Sequence, residues 1–421
     1  MHTFSFICLI ILTTMTGCVT AIEHDRQEIA VQSPANQELT KLEYLGKVLF
    51  FDDNLSQPAG QSCATCHDPA AGWSGPRTDI NAAGAIYPGA DETRFNNRRP
   101  PAASYATQSP VLHFDEAEGI FFGGNFWDGR STGWLLGEPA AEQAQAPFIN
   151  PVEHNLPNPA AVVSKVCNAA YADQFKSVFG DTICLNVVNA YNAIGQAIFA
   201  FESSGEVNAF TSKFDYYLRD PEKYPLTAQE QFGLELFEDV NRGKCSECHP
   251  TALGEDGSLP LLTDFSFDNL GFPINPLNPT YRMPAEFNPD GADWIDPGLG
   301  GFLAQVPRFA HHAQANMGLH KVPTLRNIDK RPSADFVKAF GHNGVFKSLK
   351  EIVHFYNTRD VLPICEEIAD PVPGNNCWNK PEVTENVNTE ELGDLGLSEE
   401  EEWAIVAFMK TLSDGWKPGD E

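Results

Sequence analysis

The chain has 421 residues, 42% of them hydrophobic, enough for two or three domains with real cores and too apolar for a disordered polymer. With 28 Lys+Arg against 57 Asp+Glu the formal net charge is −29. That acidity repels nucleic-acid phosphates over a Debye length of about 8 Å and excludes a nucleic-acid partner.

Residues 1–18 read as a signal peptide. The apolar run from Phe4 to Leu12 is too short to span a bilayer and is followed by small and polar residues. Gly17-Cys18 resembles a lipoprotein cleavage box in which Cys18 becomes the acylated first residue of the mature chain. The protein is therefore expected to be exported, to the periplasm or, held by a lipid anchor at Cys18, to the outer membrane or cell surface. Residues 19–38 read as a linker.

Next comes a short predicted helix around Tyr44–Phe51, leading to Cys63-Ala64-Thr65-Cys66-His67. Cys-x-x-Cys-His attaches c-type haem: two thiols add to the vinyl groups and the adjacent histidine becomes the proximal iron ligand. A predicted amphipathic helix over Val187–Phe201 carries Ile194, Ala197, Ile198 and Phe201 on one face. Pro221 and Pro225 then interrupt the helical pattern between Asp220 and Thr227.

After this break the pattern repeats. Gln231–Phe237 again places Gly, then Leu-Phe, ahead of a second attachment sequence, Cys245-Ser246-Glu247-Cys248-His249. Residues 250–320 are rich in Pro, Gly and Asn with little periodicity and are expected to form a long irregular excursion. A capped helix over Glu399–Leu412 closes the chain, with Trp403, Val406, Phe408, Met409 and Leu412 as its expected core side. The predicted fold is mainly α: two cytochrome-c-like haem domains with long irregular loops, over residues 39–222 and 223–421. The remaining cysteines, Cys167, Cys184, Cys365 and Cys377, allow three pairings; nearness in sequence favours Cys167–Cys184 and Cys365–Cys377 in an oxidising compartment.

Several blocks, in order, resemble the bacterial di-haem cytochrome c peroxidase family, including its MauG-like branch. They are Leu45–Phe51 with Leu55-Ser56; Ser62–Pro69; Phe126-Trp127-Asp128-Gly129-Arg130; Gln143 to Glu153; Val322–Asn327; and His342–Phe346. The resemblance implies two covalently bound haem c groups. The haem on Cys63, Cys66 and His67 would meet hydrogen peroxide, and that on Cys245, Cys248 and His249 would transfer electrons. It further implies an electron relay at Trp127, a catalytic acid/base at Glu153, a polar partner at Gln143, and Pro147 in the family's proline position. A calcium ion between the domains belongs to the same resemblance, but Arg98-Arg99-Pro100-Pro101 occupies the stretch where its asparagine ligand usually lies; Asn97 is close by.

Two departures bear on function. Conventional members carry a distal histidine where Ala82–Ala85 stand here, and His113 is the next candidate along the chain, so the first iron is expected to be open or water-ligated. At the second haem, the family's methionine position falls on Tyr356, with Met317 as the alternative ligand. His311, His312 and His320 are read as a solvated or backbone-bonded set. Three functions follow from the resemblance: a MauG-like oxidase of side chains on a partner protein, a peroxidase fed by a small cytochrome or cupredoxin, or a non-catalytic electron-transfer cytochrome.

Overall fold

The computed structural model describes residues 38–419. The expected signal peptide over 1–18, with Cys18, and nearly all of the 19–38 linker lie outside the described residues. The helices are α1 (Lys41–Phe50), α2 (Thr78–Ala82), α3 (Pro139–Ile149), α4 (Pro159–Cys167), α5 (Ala172–Phe179), α6 (Val187–Glu202), α7 (Lys213–Arg219), α8 (Ala228–Glu238), α9 (Gly298–Leu303), α10 (Leu349–Thr358) and α11 (Glu399–Lys410). Short strands β1 (His113–Asp115) and β2 (Ile120–Phe122) pair antiparallel, as do β3 (Phe267–Asp268) and β4 (His320–Lys321). Long loops join these elements.

The repeat in the sequence is a repeat in packing. α1 starts with a reciprocal cap between Thr40 and Glu43, and α8 with the same cap between Thr227 and Glu230. Each helix then crosses the final helix of its own half through a glycine. A Cβ on Gly46 would stand 1.8 Å from Ala197 O on α6, and one on Gly233 would stand 1.9 Å from Ala404 O on α11. One turn further on, Phe50 meets Phe201 edge-on at 5.5 Å, and Phe237 meets Phe408 at 5.1 Å. The Gly and Leu-Phe positions thus serve one purpose in both halves: backbone contact, then an aromatic lock.

Two apolar clusters follow from these crossings. One gathers Leu45, Leu49, Phe148, Val162, Phe175 and Ile194; the other gathers Leu236, Phe346, Phe355, Ile405 and Leu412. α7 contributes Phe214 to the second cluster, and its Asp215 pairs with the buried Arg326 at 2.9 Å. The 250–320 excursion is irregular yet has a small core of its own, in which Phe267, Leu299 and Leu303 pack with Leu112 and Phe121.

Cys167–Cys184 and Cys365–Cys377 are the disulfides. Trp403 departs from expectation. Val406, Phe408, Met409 and Leu412 are buried, but Trp403 is 43% exposed. Glu402 turns inward instead, because Lys350, the His354 ring and the Asn357 amide give its carboxylate a complete set of partners.

Candidate active site

A continuous cavity runs between the two halves, and both Cys-x-x-Cys-His sequences line it. Each sequence opens with one turn of 3-10 helix, Cys63–Thr65 and Cys245–Glu247. Their four cysteines are free thiols. His67 Nδ1 lies 3.3 Å from Trp73 O and His249 Nδ1 lies 2.8 Å from Leu262 O. With Nδ1–H donating to those carbonyls, the lone pair of each ring is at Nε2, the form that binds a metal. Burial holds both imidazoles below their ordinary pKa, which favours the neutral ring. Four free thiols, two oriented imidazoles and a shared cavity fit two covalently attached haem groups.

Near the first attachment site, α3 and the turn after it bring Gln143, Pro147 and Glu153 to the cavity wall. Between Trp127 and Gln143 the chain closes as a turn on Glu142, whose carboxylate accepts the amides of Gly133, Leu135 and Leu136. At the end of α3, Pro147 O accepts the amides of Asn150 and His154 at 3.2 and 3.1 Å, folding the chain back. Asn96 and Asn150 donate to the two oxygens of Glu153 at 3.2 and 2.6 Å. Burial pushes the Glu153 carboxyl up, against the opposing pull of Arg130 and the two amides.

Trp127 also lines the cavity. Its indole N–H donates to Arg99 O at 2.8 Å, and its ring meets His342 edge-on at 6.4 Å. Arg98 is buried between Asp128 and Asp296, with contacts of 2.6 Å to each. Burial opposes its charge, but the two carboxylates outweigh burial and hold its pKa up. Asn97 offers its carbonyl to the Asn278 amide. With guanidinium groups at 98 and 99, this stretch does not fit a calcium ion.

Ala82–Ala85 pack away from the cavity, where Gly84 lies against Leu277 O. His113 lies on the β1–β2 hairpin, stacked on Phe122, and is not on the cavity wall. Tyr356, on α10, is on the wall; its ring lies 6.4 Å from Phe272, and its hydroxyl has no hydrogen-bond partner among the described residues. Met317 is not on the wall.

The histidine group divides: His311 and His312 pack on each other at 4.0 Å, and His320 is backbone-bonded, its Nδ1 3.0 Å from Gly318 O. His312 packs with Phe114 and Phe121, whereas His320 stacks on His342 at 3.5 Å and lies 3.2 Å from Asp296. The pairing of β3 with β4 draws His320 inward, a contact invisible in its local sequence. Parallel rings at that spacing cannot both aim Nε2 in-plane at one ion, and Arg98 already occupies both oxygens of Asp296.

Arg99, Glu202 and His154 also line the cavity, and the sequence alone assigns none of them a role there. Burial raises the Glu202 carboxyl to about 8 and lowers His154 to about 4. The His154 Nδ1 lies 2.9 Å from Leu55 O, so its free nitrogen is Nε2. Adjacency to Glu153 was the available hint.

Residues 40–223 match the model of the di-haem cytochrome c peroxidase family. The chain is 35% identical over 387 residues to the methylamine utilization protein MauG of Paracoccus denitrificans, covering 90% of each. It is 25% identical over 413 residues to the cytochrome-c peroxidase IdrP2 of Denitromonas iodatirespirans, covering 96% of this chain and 90% of that one. The crystal structure of the diheme peroxidase BthA from Burkholderia thailandensis is similar with a TM-score of 0.72 at 28% identity, over 90% of this chain and 87% of that one.

Proposed function

Because this chain belongs to the di-haem cytochrome c peroxidase family, we propose that it uses hydrogen peroxide to oxidise a side chain on a partner protein, as a MauG-like oxidase. Family membership makes it a haem-dependent oxidoreductase with two covalently bound haem c groups. The observation that carries the finer reading is Tyr356, on the cavity wall with an unengaged hydroxyl while Met317 stands off it.

When bound, the haem irons supply a peroxide-binding site and a store for electrons. Peroxide takes up two electrons and two protons to give two waters, and the oxidised side chain gives up the same number of each. His67 and His249 would hold the irons, and Tyr356 would supply an oxygen donor to the second one. A phenolate oxygen is a hard anionic donor that favours the oxidised metal, whereas a thioether would favour the reduced one. Glu153, kept from bulk water and steadied by Asn96 and Asn150, would take a proton from one peroxide oxygen and return it to the other as the O–O bond breaks. Gln143 orients the peroxide, Pro147 shapes the turn that presents Glu153, and Trp127 relays electrons between the halves. Ala82–Ala85 and His113 being off the wall supports an open first iron.

The two disulfides support export to the periplasm or the outer membrane, with Cys18 as the proposed anchor. Among the described residues no helix is long and apolar enough to cross a membrane.

Electron paramagnetic resonance of the resting ferric protein tests this reading. One high-spin and one low-spin haem are expected. Tyr356→Phe should alter the low-spin signal alone, leaving the first haem's reaction with peroxide largely intact while shortening the life of the two-electron-oxidised protein. A methionine-ligated absorption band that vanishes in Met317→Leu, with Tyr356→Phe silent, would favour a peroxidase that draws electrons from a small cytochrome or cupredoxin. Fast steady-state turnover with such a donor would point the same way.

A further inference from the structure

Most buried cations around the cavity have their donors engaged by protein. Arg98 holds Asp128 and Asp296; Arg326 holds Asp215 and Pro260 O. Lys338 Nζ donates to Ala71 O, Asn327 O and Lys330 O, and Lys321 Nζ to Ser109 Oγ and Gly123 O.

Arg99 differs. Its Nε donates to Gly341 O at 3.0 Å and its Nη1 to Pro100 O at 3.2 Å, which leaves Nη2 without an acceptor among the described residues, on a side chain that lines the cavity. Among the described residues no carboxylate lies within ion-pair distance of it. Burial draws its pKa down to about 10, so it remains charged at neutral pH. A buried guanidinium without an anion is strongly unfavourable, so its counter-charge must come with whatever fills the cavity. Haem c brings two propionate carboxylates per group, and a guanidinium presents planar paired donors that match a carboxylate.

Arg99 belongs to the half of the chain that carries Cys63, Cys66 and His67. Its guanidinium carbon lies 5.6 Å from the centre of the Trp127 ring, and its carbonyl accepts the Trp127 indole N–H. We propose that Arg99 binds a propionate carboxylate of the haem attached at Cys63 and Cys66, seating a neutral ion pair against Trp127. A bare guanidinium there would oppose positive charge on the indole; the pair does not. Arg99 is thus a cofactor-binding residue that also sets the electrostatics of the relay, whichever molecule donates the electrons.

The test uses the full-length protein with both haems attached, verified by mass. In Arg99→Gln the reduction potential of one haem should fall, shifting its ferric/ferrous equilibrium about tenfold, or about 59 mV for one electron. The ferrous form carries one more negative charge and loses its cation. The other haem should not move, and Arg99→Lys should restore most of the shift. Unchanged potentials in Arg99→Gln, or an equal fall in Arg99→Lys, would overturn the assignment. If Arg99→Gln does not accumulate with both haems, the resonance Raman propionate bending bands of Arg99→Lys decide. A shift confined to one haem is expected, and bands identical to those of the unmodified protein would refute the contact.

Discussion

Glu153 shows how opposing neighbours set the proton affinity of one carboxyl. Burial favours the neutral acid, while Arg130, Asn150 and Asn96 favour the anion, and burial wins. A carboxyl held in that balance can both give and take a proton, which suits peroxide cleavage. Glu153→Gln keeps the shape and removes the titration. The peroxide reaction, followed by stopped-flow absorbance with both haems attached, should slow by about 10²-fold or more. An unchanged rate would reduce Glu153 to a brace for Asn96 and Asn150.

Among the elements, the α1–α6 and α8–α11 crossings bear most directly on the cavity, because Phe50, Ile198, Phe237 and Ile405 from these helices line it. Both crossings depend on a glycine against a backbone carbonyl, and a carbonyl inside a helix cannot rotate aside as a side chain can. Gly46→Ala and Gly233→Ala should therefore each destabilise the protein by about 1–3 kcal/mol, the usual cost of overpacking. Denaturant unfolding monitored by circular dichroism would measure this, and a loss below about 0.5 kcal/mol would mean that the helices can slide apart at little cost. Capping boxes at Thr40 and Thr227 repeat the motif one step earlier, so cap, glycine and aromatic lock recur as a unit. Trp403 marks where an element-level reading fails. The periodicity of α11 identifies the right stripe, but Lys350, His354 and Asn357 lie on another helix, and they decide that the carboxylate of Glu402 goes inward rather than the indole.

Across the whole molecule, the two halves are joined by the buried basic groups Arg98 and Lys338 and the half-buried Lys347. Arg98 spans Asp128 and Asp296, Lys347 Nζ reaches Asn81 O and Ala83 O at 2.7 and 2.8 Å, and Lys338 reaches Ala71 O at 2.9 Å. Such contacts hold the walls of the shared cavity in register, with Trp127 fixed by its bond to Arg99 O and by Lys321 N donating to its carbonyl at 2.8 Å. Trp127→Phe retains most of the packing and loses the redox-active indole. Both haem spectra should survive while electron exchange between the irons, followed by rapid-mixing absorbance, slows. Exchange as fast as in the unmodified protein would remove Trp127 from the path.

Sequence alone determined what depends on neighbours along the chain. Two thiols and a histidine must lie within five positions to attach a haem, so Cys63–His67 and Cys245–His249 are legible as strings, as are helical periodicity and disulfide partners a short loop apart. Tertiary structure decided what depends on neighbours in space. The stack of His320 on His342, the bonding of Arg99 to Gly341 O with no carboxylate beside it among the described residues, and the raised carboxyl of Glu202 arise from groups brought together across many residues. No local pattern encodes them, because the free energy of burying a charge is set by the partners that fold in around it.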